Sequence, residues 1–245
     1  MQIPTSNTSV STNRNSLLDT YRGAAVFLMI IFHFCWDLRE FGYIDYKLND
    51  TFWVLFRSVI LFLFLTAIGW SAYLSQRTLT NRQHKIRRFL LRQRKLLIAS
   101  TAISLATYVF FPNQWIYFGI LHFILIVNFI HYPFASYPII SAAIGALIGT
   151  LYYLTDLLLF PSIYGFITES LGAPKNTLDI IYPFPWVACV FIGPIFGKYI
   201  PNNALIASPY LIYIFAWLGR HALNVYLLHQ IILYSLVSLI YNLLN

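Results

Sequence analysis

LLIASTAISLATYVFFPNQWIYFGILHFILIVNFIHYPFASYPIISAAIGALIGTLYYLT, residues 96–155, contains no Asp, Glu, Lys or Arg across sixty positions. A single helix needs only about 20 apolar residues to cross the hydrocarbon core of a bilayer, so several spans lie back to back in this stretch. The rest of the chain agrees. Its 245 residues are 59% hydrophobic and 10% charged, against roughly 25% charged in a soluble domain. Hydropathy predicts helices near 18–37, 52–75, 93–111, 115–131, 138–158, 183–199 and 221–243. Residues 204–218 are apolar but short for a crossing and open on Ser208-Pro209, which predicts an interfacial or re-entrant helix. The expected fold is an all-α integral membrane bundle of about seven transmembrane helices plus that short helix. Pro112, Pro133, Pro138, Pro161 and Pro201 punctuate helix ends, while Pro194 sits inside a span between Gly193 and Gly197.

Residues 1–16, rich in Ser, Thr and Asn, read as a disordered cytoplasmic tail, and 17–245 as one transmembrane domain. The first apolar stretch has no small-residue cleavage site and runs into Trp36, Asp37 and Arg39, so it reads as a retained helix rather than a signal peptide. The net charge of +8 has one main source: residues 77–95 hold eight basic residues and no acid. By the positive-inside rule this loop, and with it the N-terminus, is cytoplasmic. The 38–51 and 159–182 loops, where the acids gather, then lie outside. The basic loop has a topogenic role and attracts anionic headgroups; a second reading has some of Arg82, Lys85, Arg87, Arg88 and Arg92 binding the phosphates of a soluble cofactor. The lack of aromatic residues among these charges before Phe89 argues against a nucleic-acid role.

Chemistry is sought among ionisable residues inside the spans, because a charge at a helix centre costs about 2.5 to 3.5 kcal/mol on insertion scales. Arg22 lies near the inner end of the first helix. His33 and Asp37 lie toward its outer end, four apart and so on one face. Arg57, early in the second helix, is expected at the depth of Asp37, and an Asp37–Arg57 pair is the predicted result. His122 falls about 10 Å below the outer surface at 1.5 Å per residue, level with His33. Arg220 and His221 mark the inner boundary of the last helix, with Tyr226, His229 and Gln230 in its inner half. The polar residues thus form an outer group and an inner group. A lone intramembrane histidine is commonly a packing hydrogen bond, the bland reading for His122 and His229. A histidine with a carboxylate behind it, as His33 has in Asp37, is how a general base is oriented.

Other chemistries fit less well. A His33/Asp37 metal site lacks further ligands, so no metal is expected. Cys35 and Cys189 sit within spans as small packing residues. No phosphate loop, nucleophile elbow or Walker pattern is present. Most Tyr and Trp, such as Trp53, Trp115, Tyr117 and Tyr132, cluster at span ends as interfacial belts.

The stretch LDTYRG at residues 18–23, continuing through AAVFLMIIFHFCWDL, resembles the first helix of bacterial proteins related to the catalytic domain of heparan-alpha-glucosaminide N-acetyltransferase. FGILHFI at 118–124 and LGRHALNVYLLHQ at 218–230 fit the same family, so the resemblance covers nearly the whole chain. The first helix is also similar to the acyltransferase-3 family, whose Arg, ten residues and His match Arg22 and His33. The resemblance implies transmembrane acyl transfer from cytoplasmic acetyl-CoA to an amine or hydroxyl, such as a sugar or other envelope acceptor, outside a bacterial inner membrane. It implies donor binding by Arg22, Arg87, Arg88, Arg220 and His229, and catalysis by His33, Asp37, Arg57 and His122, with Asp37 fixing the tautomer of His33. Oligomeric state stays open, a homo-oligomer included. Two other classes are compatible with the residues: a small transporter with a His33–Asp37–Arg57 relay, and a non-catalytic membrane scaffold.

Overall fold

The structure is a computed structural model that describes residues 14–78, 81–158, 168–170, 172–175, 177–201 and 209–244. Among these residues eight helices of at least twelve residues are present and no strand. They are α1 (Ser16–Glu40), α2 (Thr51–Thr78), α3 (Arg82–Phe110), α4 (Ile120–His131), α5 (Pro138–Leu154), α6 (Trp186–Tyr199), α7 (Pro209–Arg220) and α8 (Ala222–Leu244). Each predicted segment has its helix. By length and composition, however, three of them, α1, α2 and α8, are able to cross a membrane, while α4, α5 and α6 are shorter apolar helices. The expected count of seven full crossings is therefore not what the helix lengths give.

The outer surface of the bundle is apolar. Phe110, Val109, Ile98, Tyr153 and Leu243 are all more than 60% exposed, an arrangement that suits lipid and not water. The core is small side chains, aromatics and a few polar groups, with Leu65, Trp70, Val127 and Val190 almost fully buried.

Within the pairs α1–α2, α3–α4 and α5–α6 the two helices run in opposite directions. Tyr21 bonds Thr66 and Phe32 packs on Trp53 and Phe56, so α2 runs antiparallel to α1. Phe89 meets Tyr132 while Ser104 meets His122, which sets α4 antiparallel to α3. Ser141 and Gly145 of α5 face Phe191 and Ala188 of α6 in the same sense. Two glycine seams draw backbones together. A Cβ on Gly69 would strike the Val190 carbonyl and one on Gly193 the Thr66 carbonyl, joining α2 to α6. Gly23 and Gly219 do the same between α1 and α7, against the carbonyls of Phe215 and Asp19. In a bilayer, where lipid tails are as apolar as leucine, such close approach is what holds helices together.

One sequence expectation changes here and another keeps its form. The basic segment is helix rather than loop: α3 begins at Arg82, where Asn81 caps it by accepting from the Gln83 N–H at 2.8 Å. Lys, Arg and Gln are good helix formers, and hydropathy does not register that. The short helix α7 is twelve residues long, about 18 Å at 1.5 Å per residue, well short of the roughly 30 Å core. It runs down the first half of α1, with Phe215 beside Gly23 and Phe27 and Gly219 beside Asp19. It reaches about half the depth of the helix it packs on. Of the predicted tail, residues 1–13 lie outside the described residues; Asn15 caps α1 through the Leu18 N–H at 2.8 Å.

Candidate active site

Helix α8 rises parallel to α1, and its side chains complete a site begun there. His33 and Asp37 stand one turn apart on α1, where the four-residue spacing puts them on one face. Against them lie His229 and Gln230. The His33 and His229 rings meet edge to face with centroids 4.8 Å apart. Gln230 Nε2 donates to Asp37 Oδ1 at 2.7 Å, across 193 residues of sequence. Asp37 is 1% exposed and His229 8%.

The tautomers follow from the partners. A carbonyl oxygen only accepts, so the ring nitrogen facing it carries the proton. His33 Nδ1 donates to the Met29 carbonyl at 2.9 Å and His229 Nδ1 to the Tyr226 carbonyl at 2.8 Å. Each imidazole is thereby left with an Nε2 lone pair. Helical side chains lean toward the helix N-terminus, which takes the His33 ring to Met29 and away from Asp37. The expected role of Asp37 as the group that fixes the His33 tautomer is thus filled by Met29. His229 Nε2, Asp37 Oδ2 and Gln230 Oε1 are buried with no protein partner. All three are hydrogen-bond acceptors.

This position corrects the predicted depth of α8. His229, expected in the inner half of the last helix among the donor-binding residues, is level with His33, and Gln230 is level with Asp37. Ala222 packs against the cluster formed by Val26, Met29, Phe32 and Ile60, above the start of α1, so everything after it sits higher than counting from a shared boundary suggests.

A second polar group adjoins the first through α8. Asp179, which sequence reasoning treated only as an outer-loop charge, accepts from the Ile120 N–H at 3.0 Å and lies near the Tyr226 side chain. It caps α4 from a distant segment, because the N-cap residue Gly119 has no side chain and a Cβ there would strike Asp179 Oδ2. A carboxylate suits the partial positive charge of a helix N-terminus. Burial pushes the Asp179 carboxyl above its usual range, with the Ile120 N–H opposing. The segment is held by Thr177 Oγ1 donating to the Trp115 carbonyl and by the Leu178 N–H donating to the Gln114 carbonyl, both at 2.9 Å.

His122 and Arg57 belong to this second group. Ser104 Oγ donates to the Ile116 carbonyl at 2.7 Å and accepts from His122 Nε2–H at 3.1 Å, while His122 Nδ1 accepts from the Gly119 N–H at 3.3 Å. Both ring nitrogens are satisfied internally. Arg57 is exposed and makes no ion pair with Asp37; its charge acts on Asp179 instead. Phe56 and Ile60 take the face of α2 that packs on Phe32, and Arg57, the next residue round, points off it. The predicted Asp37–Arg57 pair is replaced by Asp37–Gln230.

At the other end of the bundle, Asp19 accepts from Arg14 at 2.5 Å and from Arg22 at 3.1 Å. The charge of Arg92 also acts on Arg22. Arg87, Arg88 and Arg220 are exposed, Arg220 folding back onto the Ala216 carbonyl at 3.2 Å. Twelve of the sixteen basic residues lie at this end, on residues 14–22, 77–95, 198 and 220, with Asp19 the one acid among them.

An all-helical bundle with an apolar exterior and a histidine pair beside a buried, amide-clamped carboxylate defines a membrane protein with a polar intramembrane site. Residues 14–231 match the family model described as heparan-alpha-glucosaminide N-acetyltransferase, catalytic. The chain belongs to this family, one of transmembrane acetyltransferases that use acetyl-CoA. No curated protein and no solved structure matches it significantly.

Proposed function

We propose that the protein transfers an acetyl group from acetyl-CoA, taken up at the basic end of the bundle, to an amine or hydroxyl acceptor at the His33–His229 site. The observation that carries this reading is the character of the three unpartnered atoms. His229 Nε2, Asp37 Oδ2 and Gln230 Oε1 are all acceptors, and a buried acceptor calls for a donor. An acyl acceptor supplies one, since the attacking group of a sugar amine or hydroxyl carries N–H or O–H.

In the reaction, His33 Nε2 takes the proton of the acceptor as its nitrogen or oxygen bonds to the thioester carbonyl carbon. Collapse of the tetrahedral adduct breaks the C–S bond, and the proton passes from the imidazolium to the departing thiolate. Met29 keeps the His33 lone pair on Nε2, and Asp37 with Gln230 orients the acceptor. From Ile60, beside Phe32, to Ala72 near the basic end, α2 rises about 18 Å at about 1.5 Å per residue, a depth suited to an extended pantetheine arm. The charge asymmetry supports a cytoplasmic basic end and N-terminus, with the acceptor outside a bacterial inner membrane.

The test is transfer of labelled acetyl from acetyl-CoA to a panel of amino sugars and hexoses by purified protein in nanodiscs, comparing wild type with His33→Ala and Asp37→Asn. Loss of transfer in both variants is expected. If wild type neither binds nor consumes the thioester, the enzyme reading fails; if both variants keep full activity, the site assignment fails.

A further inference from the structure

Helix α8 carries half of the site, yet its own packing does little to hold it there. Of its 23 residues, His229 and Val237 are the buried ones, while Leu228, Ile231, Ile232, Leu236 and Leu239 face outward. It contains no glycine, so the seams that lock α1 to α7 and α2 to α6 have no counterpart here. Lipid tails are as apolar as leucine, so apolar side chains do not fix which way such a helix turns. Polar ties do. Tyr226, His229 and Gln230 stand at i, i+3 and i+4 and share one face. Two of their ties are the site itself, His229 against His33 and Gln230 on Asp37. The third is Tyr226, whose phenol lies near Asp179, each group acting on the other. Asp179 is anchored independently of α8. Its Oδ2 accepts from the Ile120 N–H, and its segment is laid along residues 114–118 by Thr177, by Leu178 and by the Ile181 N–H, which donates to the Phe118 carbonyl at 3.4 Å. Gly119 leaves the space that the carboxylate fills.

We infer that Asp179 and Tyr226 are positioning residues: the carboxylate, fixed on the N-terminus of α4, sets the rotation and height of α8 and so places His229 and Gln230 against α1. Both act through these neighbours and not on the reacting atoms. One residue of slip along α8 is about 1.5 Å of travel and about 100° of turn, enough to carry His229 off the His33 ring. The Tyr226 carbonyl, which takes the His229 Nδ1–H at 2.8 Å, belongs to the same turn of helix, so the tie and the imidazole move together. The consequence for catalysis rests on the acetyl-transfer reading above; the placement of the two side chains does not.

The test uses the full chain in nanodiscs with isotope-labelled histidine, read by nuclear magnetic resonance. In wild type the His33 and His229 rings, edge to face, shift each other's ring protons, and His229→Ala gives the His33 signal without that shift. Tyr226→Phe keeps the ring and removes the hydroxyl, Asp179→Ala removes the carboxylate, and Asp179→Asn returns an amide to its place. Ser141→Ala, which cuts the 2.6 Å bond from Ser141 Oγ to the Phe191 carbonyl between α5 and α6, controls for a general loss of stability. Thermal unfolding is followed for each protein. Tyr226→Phe and Asp179→Ala should each move the His33 signal at least halfway to its His229→Ala position. They should lower kcat for acetyl transfer about tenfold to a hundredfold, with KM for acetyl-CoA unchanged. Asp179→Asn should restore both readouts, and Ser141→Ala should leave both as in wild type. If Asp179→Ala does not fold, Tyr226→Phe decides alone. A His33 signal that stays in place in Tyr226→Phe, or that Ser141→Ala moves as far, overturns the inference. A moved signal in a protein whose wild type transfers nothing upholds the placement and ends the enzyme reading; transfer with an unmoved signal does the reverse.

Discussion

The imidazole of His33 on α1 stands edge to face with that of His229 on α8, ring centres 4.8 Å apart, each pinned through Nδ1–H to a carbonyl of its own helix. Two neutral rings with Nε2 lone pairs in one seam are suited to passing a proton between substrate and base. His33→Ala should lower acetyl transfer by about 10² to 10⁴-fold, the usual contribution of a positioned base. His229→Ala should lower it by a smaller factor. The double variant should be little worse than His33→Ala alone, because residues acting as a unit are not additive. Initial rates with labelled acetyl-CoA check this; full additivity would separate the two rings functionally.

The Gln230–Asp37 bond makes a prediction about stability. Gln230→Leu takes the donor from Asp37 Oδ1 and leaves a buried carboxylate without a partner, which should cost about 1 to 3 kcal/mol or more. Asp37→Asn combined with Gln230→Leu should recover part of that loss, since a neutral amide is cheaper to bury than a charge. Thermal unfolding in detergent reads both. Equal melting temperatures for Gln230→Leu and wild type would show that the bond carries no stability.

Arg57 and Asp37 are not partners in this structure, and a double-mutant cycle makes the point measurable. The effects of Arg57→Gln and Asp37→Asn should add to within about 0.3 to 0.5 kcal/mol, as for sites with no shared contact. A coupling well above that would restore the pair inferred from helix depth.

Asp179 gives a pH dependence. Its carboxyl is raised by burial in the folded chain, so its contribution to stability is fully present below the unfolded value, about 3.9, and is lost as the pH rises through the folded value. Asp179→Asn keeps an acceptor for the Ile120 N–H and should flatten this fall. Asp179→Ala leaves that N–H uncapped and should cost about 0.5 to 2 kcal/mol at low pH, a cost that shrinks as wild type loses stability with rising pH. Melting temperature against pH for the three proteins distinguishes them, and identical slopes for wild type and Asp179→Asn would count against the carboxyl.

Hydropathy located each helix, and the spacing of His33 and Asp37 marked their shared face, because both are local properties of the chain. Partners across helices were not legible. Gln230 reaches Asp37 only because Ala222 docks high on α1, a register set by packing with Val26 and Met29 rather than by any span boundary. Arg57 leaves the seam because Phe56 and Ile60 occupy the packing face, a rotation that depth arithmetic does not contain. Asp179 could have been suspected from one sign: the α4 N-cap position is Gly119, which cannot cap its own helix. The early start of α3 was also readable, in Asn81 followed by helix-favouring Gln, Lys and Arg.

The glycine seams impose a tolerance rule that no hydropathy profile registers. On the outside of the bundle any greasy residue serves, and the sequence there is free to drift. At Gly23, Gly69, Gly193 and Gly219 the permitted side chain is a single hydrogen atom, because even a methyl group would meet a backbone carbonyl of the neighbouring helix. Diverged copies of this chain would share little over their lipid-facing surface and still keep these four positions blank, which makes them a better ruler for aligning distant relatives than the apolar bulk that surrounds them.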